Sequence, residues 1–198
     1  WRNWVDYPFD LREGHGAAQF WIDFADQKIE AFTSDLLLDN VATRLPYHGI
    51  NTGEESRFNK IAGRVKWEKL SDGQEIQGEN LKLITSDNLN MKSGKFSIRD
   101  RLINNQKVIK GDVHLDEIQL ETLNKITAYF DLPSNIEQGL SETEPTGKLT
   151  KVNLTWLSKD DTLPKYAFTA DFSALGLKPY SKFSTPGFSN LSGKVKID

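Results

Sequence analysis

Few residues in this chain have side chains that commonly perform chemistry, and those that do are widely spaced. The 198 residues include three isolated histidines, His15, His48 and His114, and no cysteine. No two histidines have the close spacing of a zinc site, and the lack of cysteine excludes thiolate ligands and cysteine nucleophiles. We therefore predict no metal, no cofactor and no catalytic residue of these types.

Carboxylates offer the remaining route to catalysis. Asp23, Asp35 and Asp171 alternate with apolar residues in strand-like segments, and two carboxyl groups about 5–10 Å apart could cleave a glycosidic bond. The sequence does not give their separation, so a hydrolase remains a third alternative. The pair Asp160-Asp161 lacks the spacing of a calcium loop. A water-facing strand surface explains these side chains without catalysis, and we predict that the protein is not an enzyme.

The segments that must position these side chains have the two-residue period of half-buried strands. Phe20, Ile22 and Phe24 alternate with polar neighbours, and 71–73 (Ser-Asp-Gly) is a hairpin signal between two such runs. Further strand-like runs occupy 75–86, 89–99 and 107–115. The pattern predicts a mainly β protein, a curved antiparallel meander with one or two short helices.

Two features interrupt the alternation between the strand-like runs. Gly78 and Gly94 lie where the apolar phase changes, and we expect bends there. Asp116, with Gln119 three residues later, has the spacing of a capping box, which predicts a helix ended by Pro133.

A second capping box is found at 134–137. It predicts a short helix that Gly139 ends.

One strand-loop-strand unit occurs twice in the chain. Residues 31–35 (AFTSD) return as 167–171 (AFTAD), and 58–66 (FNKIAGRVK) return as 188–196 (FSNLSGKVK). Because the blocks keep their order and spacing, we interpret them as a repeat. We predict one β-rich segment, 1–198, with internal repeats 17–70 and 147–198, intervening strands 74–115 and a helical insert 116–140.

Composition limits the class of partner. The net charge is −3 and both signs are interspersed, which argues against nucleic acid as a partner. The longest apolar run, 36–38, is far shorter than the ~20 residues of a spanning helix. Trp1 is not an initiator Met, and the chain stops within the strand-like 193–198, so we expect a segment of a longer protein.

The second copy of the repeat resembles the AsmA-like superfamily of Gram-negative envelope proteins, specifically its YhdP-type branch. The resemblance rests on Trp156, on 166–172 (YAFTADF) and above all on 186–195 (PGFSNLSGKV). The segment 115–133, followed by the strand-like 147–149 (GKL), also resembles that branch.

This resemblance implies a fold, a location and a set of partners. Proteins of this branch are anchored in the inner membrane by an N-terminal helix and extend through the periplasm. Their curved sheets form a taco-like body with a hydrophobic face, and they are implicated in moving phospholipids towards the outer membrane and maintaining its barrier. The implied partners are phospholipid acyl chains, the inner membrane through its anchor, and adjacent repeats of the same chain. No catalysis is implied.

We therefore expect a periplasmic segment whose apolar strand residues contact lipid tails. The alternative is a closed β-sandwich that binds carbohydrate or protein and buries the same residues, because alternation alone does not separate a sandwich core from an open groove. The residues expected to contact lipid are Phe20, Ile22, Phe24, Val65, Trp67, Leu154, Trp156, Phe168 and Phe172.

Overall fold

The structure, a computed structural model, describes residues 10–44, 56–86, 90–122, 134–159, 162–180 and 186–198. A 3-10 turn, Leu120–Thr122, follows the sixth strand, and one helix, α1 (Ser134–Thr143), precedes the seventh. The strands are β1 (Asp10–Ala25), β2 (Lys28–Arg44), β3 (Ser56–Leu70), β4 (Gly73–Thr85), β5 (Asn90–Ile103), β6 (Gln106–Gln119), β7 (Thr146–Lys159), β8 (Lys165–Leu177) and β9 (Phe188–Ile197).

All these strands form one antiparallel sheet in chain order, so that each strand pairs with its neighbours in sequence. Within the described ranges β1 and β9 do not pair, and the sheet is not closed into a barrel. The predicted fold class, a mainly β, curved antiparallel meander with one or two short helices, is confirmed.

Tight turns join successive strands at one end of the sheet. Asp26 and Gln27 between β1 and β2 have φ of 50° and 62°, and Asn104 and Asn105 between β5 and β6 have φ of 52° and 61°. Two consecutive central residues with positive φ are typical of the type I′ turn, whose twist suits antiparallel strands. The predicted hairpin at 71–73 is confirmed, since Leu70 pairs with Gly73.

Internal residues in the left-handed region bend most of the strands. One of them, Asn80, lies in the register shift between Gly78 and Leu81. An extra residue of this kind bends a strand and increases its twist, which accounts for the curvature. The bends predicted at Gly78 and Gly94 therefore lie close by, at Asn80 and Ser93. The non-glycine residues with positive φ inside strands are Asn40, Asn80, Ser93, Lys151, Ala174 and Asn190.

The helix predicted from Asp116 is wrong at its start. Strand β6 continues to Gln119 and pairs Ile118 with Leu149 of β7. Ile118 is 5% exposed, so the burial that strand pairing gives it outweighs the local capping signal. The rest of that predicted helix, up to Pro133, lies outside the described residues except for the 3-10 turn.

The second predicted helix begins at Ser134 as expected but does not end at Gly139, because α1 runs to Thr143. Gly139 lies inside the helix and does not end it. The Thr143 hydroxyl donates to the carbonyl oxygen of Gly139 at 2.6 Å. The backbone N–H of Lys178 in turn donates to the Thr143 carbonyl at 2.7 Å. This bond ties the end of α1 to the segment after β8.

The two ends of the sheet differ in burial. We term the end with the turns after β1, β3, β5 and β7 the hairpin end, and the opposite end the connector end. At the connector end, Val41, Phe58 and Leu120 are only 2%, 4% and 5% exposed. The packed core therefore lies at the connector end. Exposed apolar side chains concentrate near the hairpin end: Ile22, Phe24, Ile29, Leu102, Ile103, Leu163, Tyr166 and Ile197.

In both copies of the sequence repeat, the two matched segments are paired in the same register. Asp35 of β2 lies opposite Arg64 of β3, and their sequence counterparts, Asp171 of β8 and Lys194 of β9, lie opposite each other. Matching residues thus occupy matching places in the sheet. The division of the chain into repeats 17–70 and 147–198 with an insert between them stays a prediction.

Candidate functional site: the apolar face of the sheet

One face of the sheet is apolar from β1 to β9. Residues directly opposite each other on antiparallel neighbours share a face, so the register assembles rows across the sheet. We term the face that carries the following two rows the apolar face. The middle row contains Phe20, Ser34, Val65, Gly78, Phe96, Val113, Leu154, Phe168 and Ile197. The hairpin-side row contains Ile22, Phe32, Trp67, Ile76, Ile98, Gly111, Trp156 and Tyr166.

The apolar face is only partly shielded from solvent. Phe20, Ile22 and Ile197 are 51%, 43% and 56% exposed, and most large side chains of the two rows are half-buried. The inner face of a closed sandwich interdigitates with a second sheet and buries such residues. The exposure seen here is that of an open face.

Two glycines allow aromatic rings to lie across neighbouring strands. Gly111 lies opposite Trp156, and a Cβ built on it would overlap the indole ring. Gly78 lies opposite Phe96, and a Cβ built there would overlap the phenyl ring. Glycine destabilises a strand by about 0.5–1 kcal/mol relative to alanine. Here the aromatic ring fills the space that a side chain at the glycine would occupy.

Towards the connector end the apolar face becomes a packed cluster. Ile118, Val152 and Ala170 are 5%, 6% and 4% exposed. Half-buried residues complete the cluster: Leu115, Leu149, Phe168 and Val195. The openness of the face therefore decreases from the hairpin end to the connector end.

The structure brings most of the predicted lipid-contacting residues together. Phe20, Ile22, Val65, Trp67, Leu154, Trp156 and Phe168 all lie in the two rows. Phe172 lies further towards the connector end, opposite Gly193. Phe24 follows a register shift in β1 and is 67% exposed. Contact between these residues and lipid stays a prediction.

Charged and amide side chains border the apolar face at the hairpin end. Lys69 lies two residues beyond Trp67 and so on the same face of β3, with its Nζ 2.8 Å from Glu30 Oε1. The Trp67 indole N–H donates to Gln74 Oε1 at 3.0 Å. Lys107 Nζ lies 3.2 Å from Asp100 Oδ2. We term these border residues the polar rim: Glu30, Lys69, Gln74, Asp100 and Lys107.

The opposite face is polar and explains two of the strand carboxylates, Asp35 and Asp171. Arg64 donates to Asp35 through Nε at 2.6 Å and Nη2 at 2.7 Å, and this hydrogen bonding holds the pKa of Asp35 below its usual value. The guanidinium of Arg64 also lies 5.5 Å from the centre of the Trp21 ring. Asp171 carries ion pairs with Lys151 and Lys194 at 3.2 and 3.8 Å. Asp35 and Asp171 are thus held in ion pairs.

Those two carboxylates are also far apart along the sheet. Asp35 is in β2 and Asp171 in β8, with five strands between them. At about 4.8 Å per strand the separation along the sheet is roughly 29 Å, well beyond the distance at which two carboxyl groups cooperate on a glycosidic bond.

Glu75 is the most buried carboxylate among the described residues, with a side chain 7% exposed. Burial raises its pKa, but hydrogen bonds from Gln77, Arg99 and Ser97 outweigh that effect, so the pKa lies below its ordinary value. Arg99 Nε is 2.8 Å from Oε2, while Gln77 and Ser97 donate to Oε1 at 2.7 and 2.9 Å. The cluster fixes β4 against β5 on the polar face.

The other chemical candidates form no reactive group in the described residues. His114 in β6 contacts Asn153 Oδ1 through Nδ1 at 2.8 Å and Asp116 through Nε2 at 3.3 Å. Among the residues that the structure describes, no group of three or more His, Cys, Asp or Glu could hold a metal ion. His48 and the pair Asp160-Asp161 lie outside the described residues.

Sequence reasoning missed the polar rim and one buried hydroxyl. Lys69 lies two residues from Trp67, and Gln74 lies two residues from Ile76, on either side of the β3–β4 turn. Because alternate residues of a strand share a face, this spacing was the signal that could have predicted the rim. Ser34 is 3% exposed, lies in the middle row, and its Oγ has no hydrogen-bond partner. No feature of the sequence distinguished it from a solvent-facing serine.

Comparison with known proteins gives one match. A family model described as YhdP protein matches residues 1–198. No curated protein and no solved structure matches the chain. Among the described helices, none combines the length and the hydropathy needed to cross a membrane.

Proposed function

The chain belongs to the YhdP family, whose members are cell-envelope proteins, and we propose that it provides an apolar β-surface for phospholipid acyl chains. In this proposal it is a periplasmic segment of an inner-membrane-anchored protein. Its surface carries phospholipids towards the outer membrane and so helps to maintain the outer-membrane barrier. Adjacent repeats of the same longer chain would extend the surface.

The observation that carries the proposal is the partial exposure of a continuous apolar face. The two rows cross the sheet with few polar side chains, while solvent reaches Phe20, Ile22 and Ile197. Each 100 Å² or so of apolar surface withdrawn from water contributes about 2.5 kcal/mol. A bound hydrocarbon chain would remove such surface from water on both itself and the protein.

The chemistry of the face also favours acyl chains over a sugar. Carbohydrate recognition needs hydrogen-bond donors and acceptors, whereas Ser34 supplies the one hydroxyl of the middle row and is itself 3% exposed. A methylene chain needs no such partners. The alternative of a closed interaction module would require the half-buried rows to be sealed, which is not the exposure observed.

Substitutions at two neighbouring residues of β7 test the proposal. Leu154 lies on the apolar face and Thr155 on the polar face, so Leu154→Asp places a charge among the acyl chains while Thr155→Asp places it in water. We expect Leu154→Asp to reduce co-purified phospholipid, measured by native mass spectrometry, and transfer of fluorescent phosphatidylethanolamine between vesicles by at least about tenfold. Thr155→Asp should retain both.

The two variants are compared at equal folded fraction, verified by circular dichroism and by the denaturation midpoint. Wild-type protein that carries no phospholipid and transfers none would overturn the proposal. Equal loss in both variants would do the same, because it would assign the effect to charge in general rather than to the apolar face.

A further inference from the structure

We propose that the polar rim fixes the orientation of the bound lipid, with its head group at the hairpin end and its tails directed along the strands towards the connector end. This inference rests on the proposed function and specifies its ligand as an amphiphile with one polar end. It follows from the different chemistry of the two ends of the apolar face.

The rim is the polar border of that face across β2 to β6. It presents both charge signs in pairs, Glu30 with Lys69 and Asp100 with Lys107. Their side chains are between 30% and 52% exposed, so solvent and ligand both reach them. A zwitterionic head group carries a phosphate and an ammonium and can meet both signs along such a border.

Amphipathic aromatic residues belong to the hairpin-side row, which is the row of the apolar face nearer the rim. Trp67 turns its indole N–H to Gln74 at the rim, while its ring belongs to the hairpin-side row together with Trp156 and Tyr166. Tryptophan and tyrosine concentrate at the boundary between head groups and hydrocarbon in membranes, where one part of the ring system is apolar and the other wet. Their row marks the same boundary here.

The length of the apolar face along β3 fits one acyl chain. From Trp67 to Ile61 strand β3 covers seven residues, and the six steps between them span about 20 Å at roughly 3.3 Å per step. Half of a bilayer core of about 30 Å, the share of one leaflet, is about 15 Å. At the far end the apolar face meets the packed cluster around Ile118 and Val152. The buried apolar side chains of that cluster offer a charged head group no hydrogen-bond partner.

Fluorescence quenching with brominated lipids tests the orientation on the full chain. One protein retains Trp67 alone, with Trp1, Trp4, Trp21 and Trp156 replaced by Phe. The matched protein carries Ile61→Trp and has Phe at all five native tryptophan positions. Each is mixed with phosphatidylcholine brominated either near the ester carbonyl or near the terminal methyl group.

We expect Trp67 to be quenched at least about twofold more by bromine near the carbonyl, and Ile61→Trp to show the reverse order. Lys69→Ala with Lys107→Ala should weaken this difference, while Lys66→Ala on the polar face should not. The same order at both positions, or a reversed order, would overturn the orientation and leave lipid binding intact. Failure of every brominated lipid to quench either reporter would overturn the proposed function itself.

Discussion

The connector end and the hairpin end of one continuous sheet differ in how far they bury their apolar side chains. At the connector end Val41, Phe58 and Leu120 are at most 5% exposed. At the hairpin end apolar residues such as Phe24 are exposed. Exposed ion pairs join strands at both ends, Glu30 with Lys69 at the hairpin end and Glu117 with Lys148 at the connector end. Apolar burial responds weakly to pH and salt, while exposed ion pairs respond to both. One end is therefore suited to hold the fold and the other to remain accessible.

The largest expected effect comes from opening the buried end. Phe58→Ala should lower the free energy of unfolding by about 3–5 kcal/mol, because it leaves a cavity among residues that do not collapse into it. Phe24→Ala, the matched truncation at the hairpin end, should change it by less than about 1 kcal/mol. Urea unfolding followed by circular dichroism measures both. Equal losses would abolish the distinction between the two ends.

A smaller effect is expected where an aromatic ring rests on glycine. Gly111→Val should destabilise the protein by about 2–3 kcal/mol, since the new side chain must displace the Trp156 ring that occupies its space. Gly139→Ala is the control, because it meets no atom within 4 Å and should stabilise α1 by up to about 1 kcal/mol. Thermal melting and the shift of tryptophan emission distinguish them. An unchanged emission in Gly111→Val would contradict the stacked arrangement.

The charged cluster on the polar face should contribute less than the buried core. Glu75→Gln keeps the shape but weakens the hydrogen bonds from Arg99 and Ser97, with an expected cost of about 1–2 kcal/mol. Glu68→Gln, in an exposed pair with Lys66, is the control and should cost almost nothing. The denaturation midpoint at neutral pH reports both, and an equal cost would show that burial of Glu75 is irrelevant.

Three hydrogen-bonded carboxylates set a direction for acid sensitivity: Asp35 beside Arg64, Asp72 beside Arg101, and Glu75 beside Ser97. The pKa values of Asp35, Asp72 and Glu75 lie below their ordinary values, so the folded protein binds these protons less readily than the unfolded chain. Their stabilisation is complete above a pH of about 4 to 5 and is lost as the pH falls through the lowered values. Hydrogen exchange should show the turn between β3 and β4 losing protection at a higher pH than the strands around Ile118. Simultaneous loss would contradict the comparison.

The smallest effect is expected from the unpartnered hydroxyl of Ser34. Ser34→Ala should leave stability unchanged or raise it by up to about 1 kcal/mol, because the buried Oγ forms no hydrogen bond. Ser97→Ala is the matched change and should destabilise by about 1 kcal/mol, since its hydroxyl donates to Glu75. Calorimetry resolves the opposite signs, and a clear loss in Ser34→Ala would reveal an unseen partner.

The strands were predictable because period-two alternation is a local property that the sheet preserves. Phe20 and Ile22, or Leu154 and Trp156, were assigned correctly to one face without any knowledge of their neighbours. The prediction of a helix at Asp116 was wrong for the converse reason. Its capping signal is local, but pairing of Ile118 with a strand 31 residues away decides the outcome.

The polar rim and the openness of the apolar face could not be predicted in this way. Glu30 and Lys69 are 39 residues apart, and only the register of β2 against β3 brings them together. Exposure depends on whether a second layer covers the sheet, which alternation does not encode. The family resemblance implied a hydrophobic face, while the exposed fractions of Phe20 and Ile197 come from the structure alone.

The rings of Phe96 and Trp156 each lie over a glycine of the adjacent strand, which keeps the apolar face low at Gly78 and Gly111. A branched side chain standing upright at Gly78 or Gly111 would form a ridge between strands. At these two places a flexible hydrocarbon molecule that moves across the sheet would meet a flat ring instead of a ridge. There the surface would shield such a molecule from water without obstructing its sideways motion.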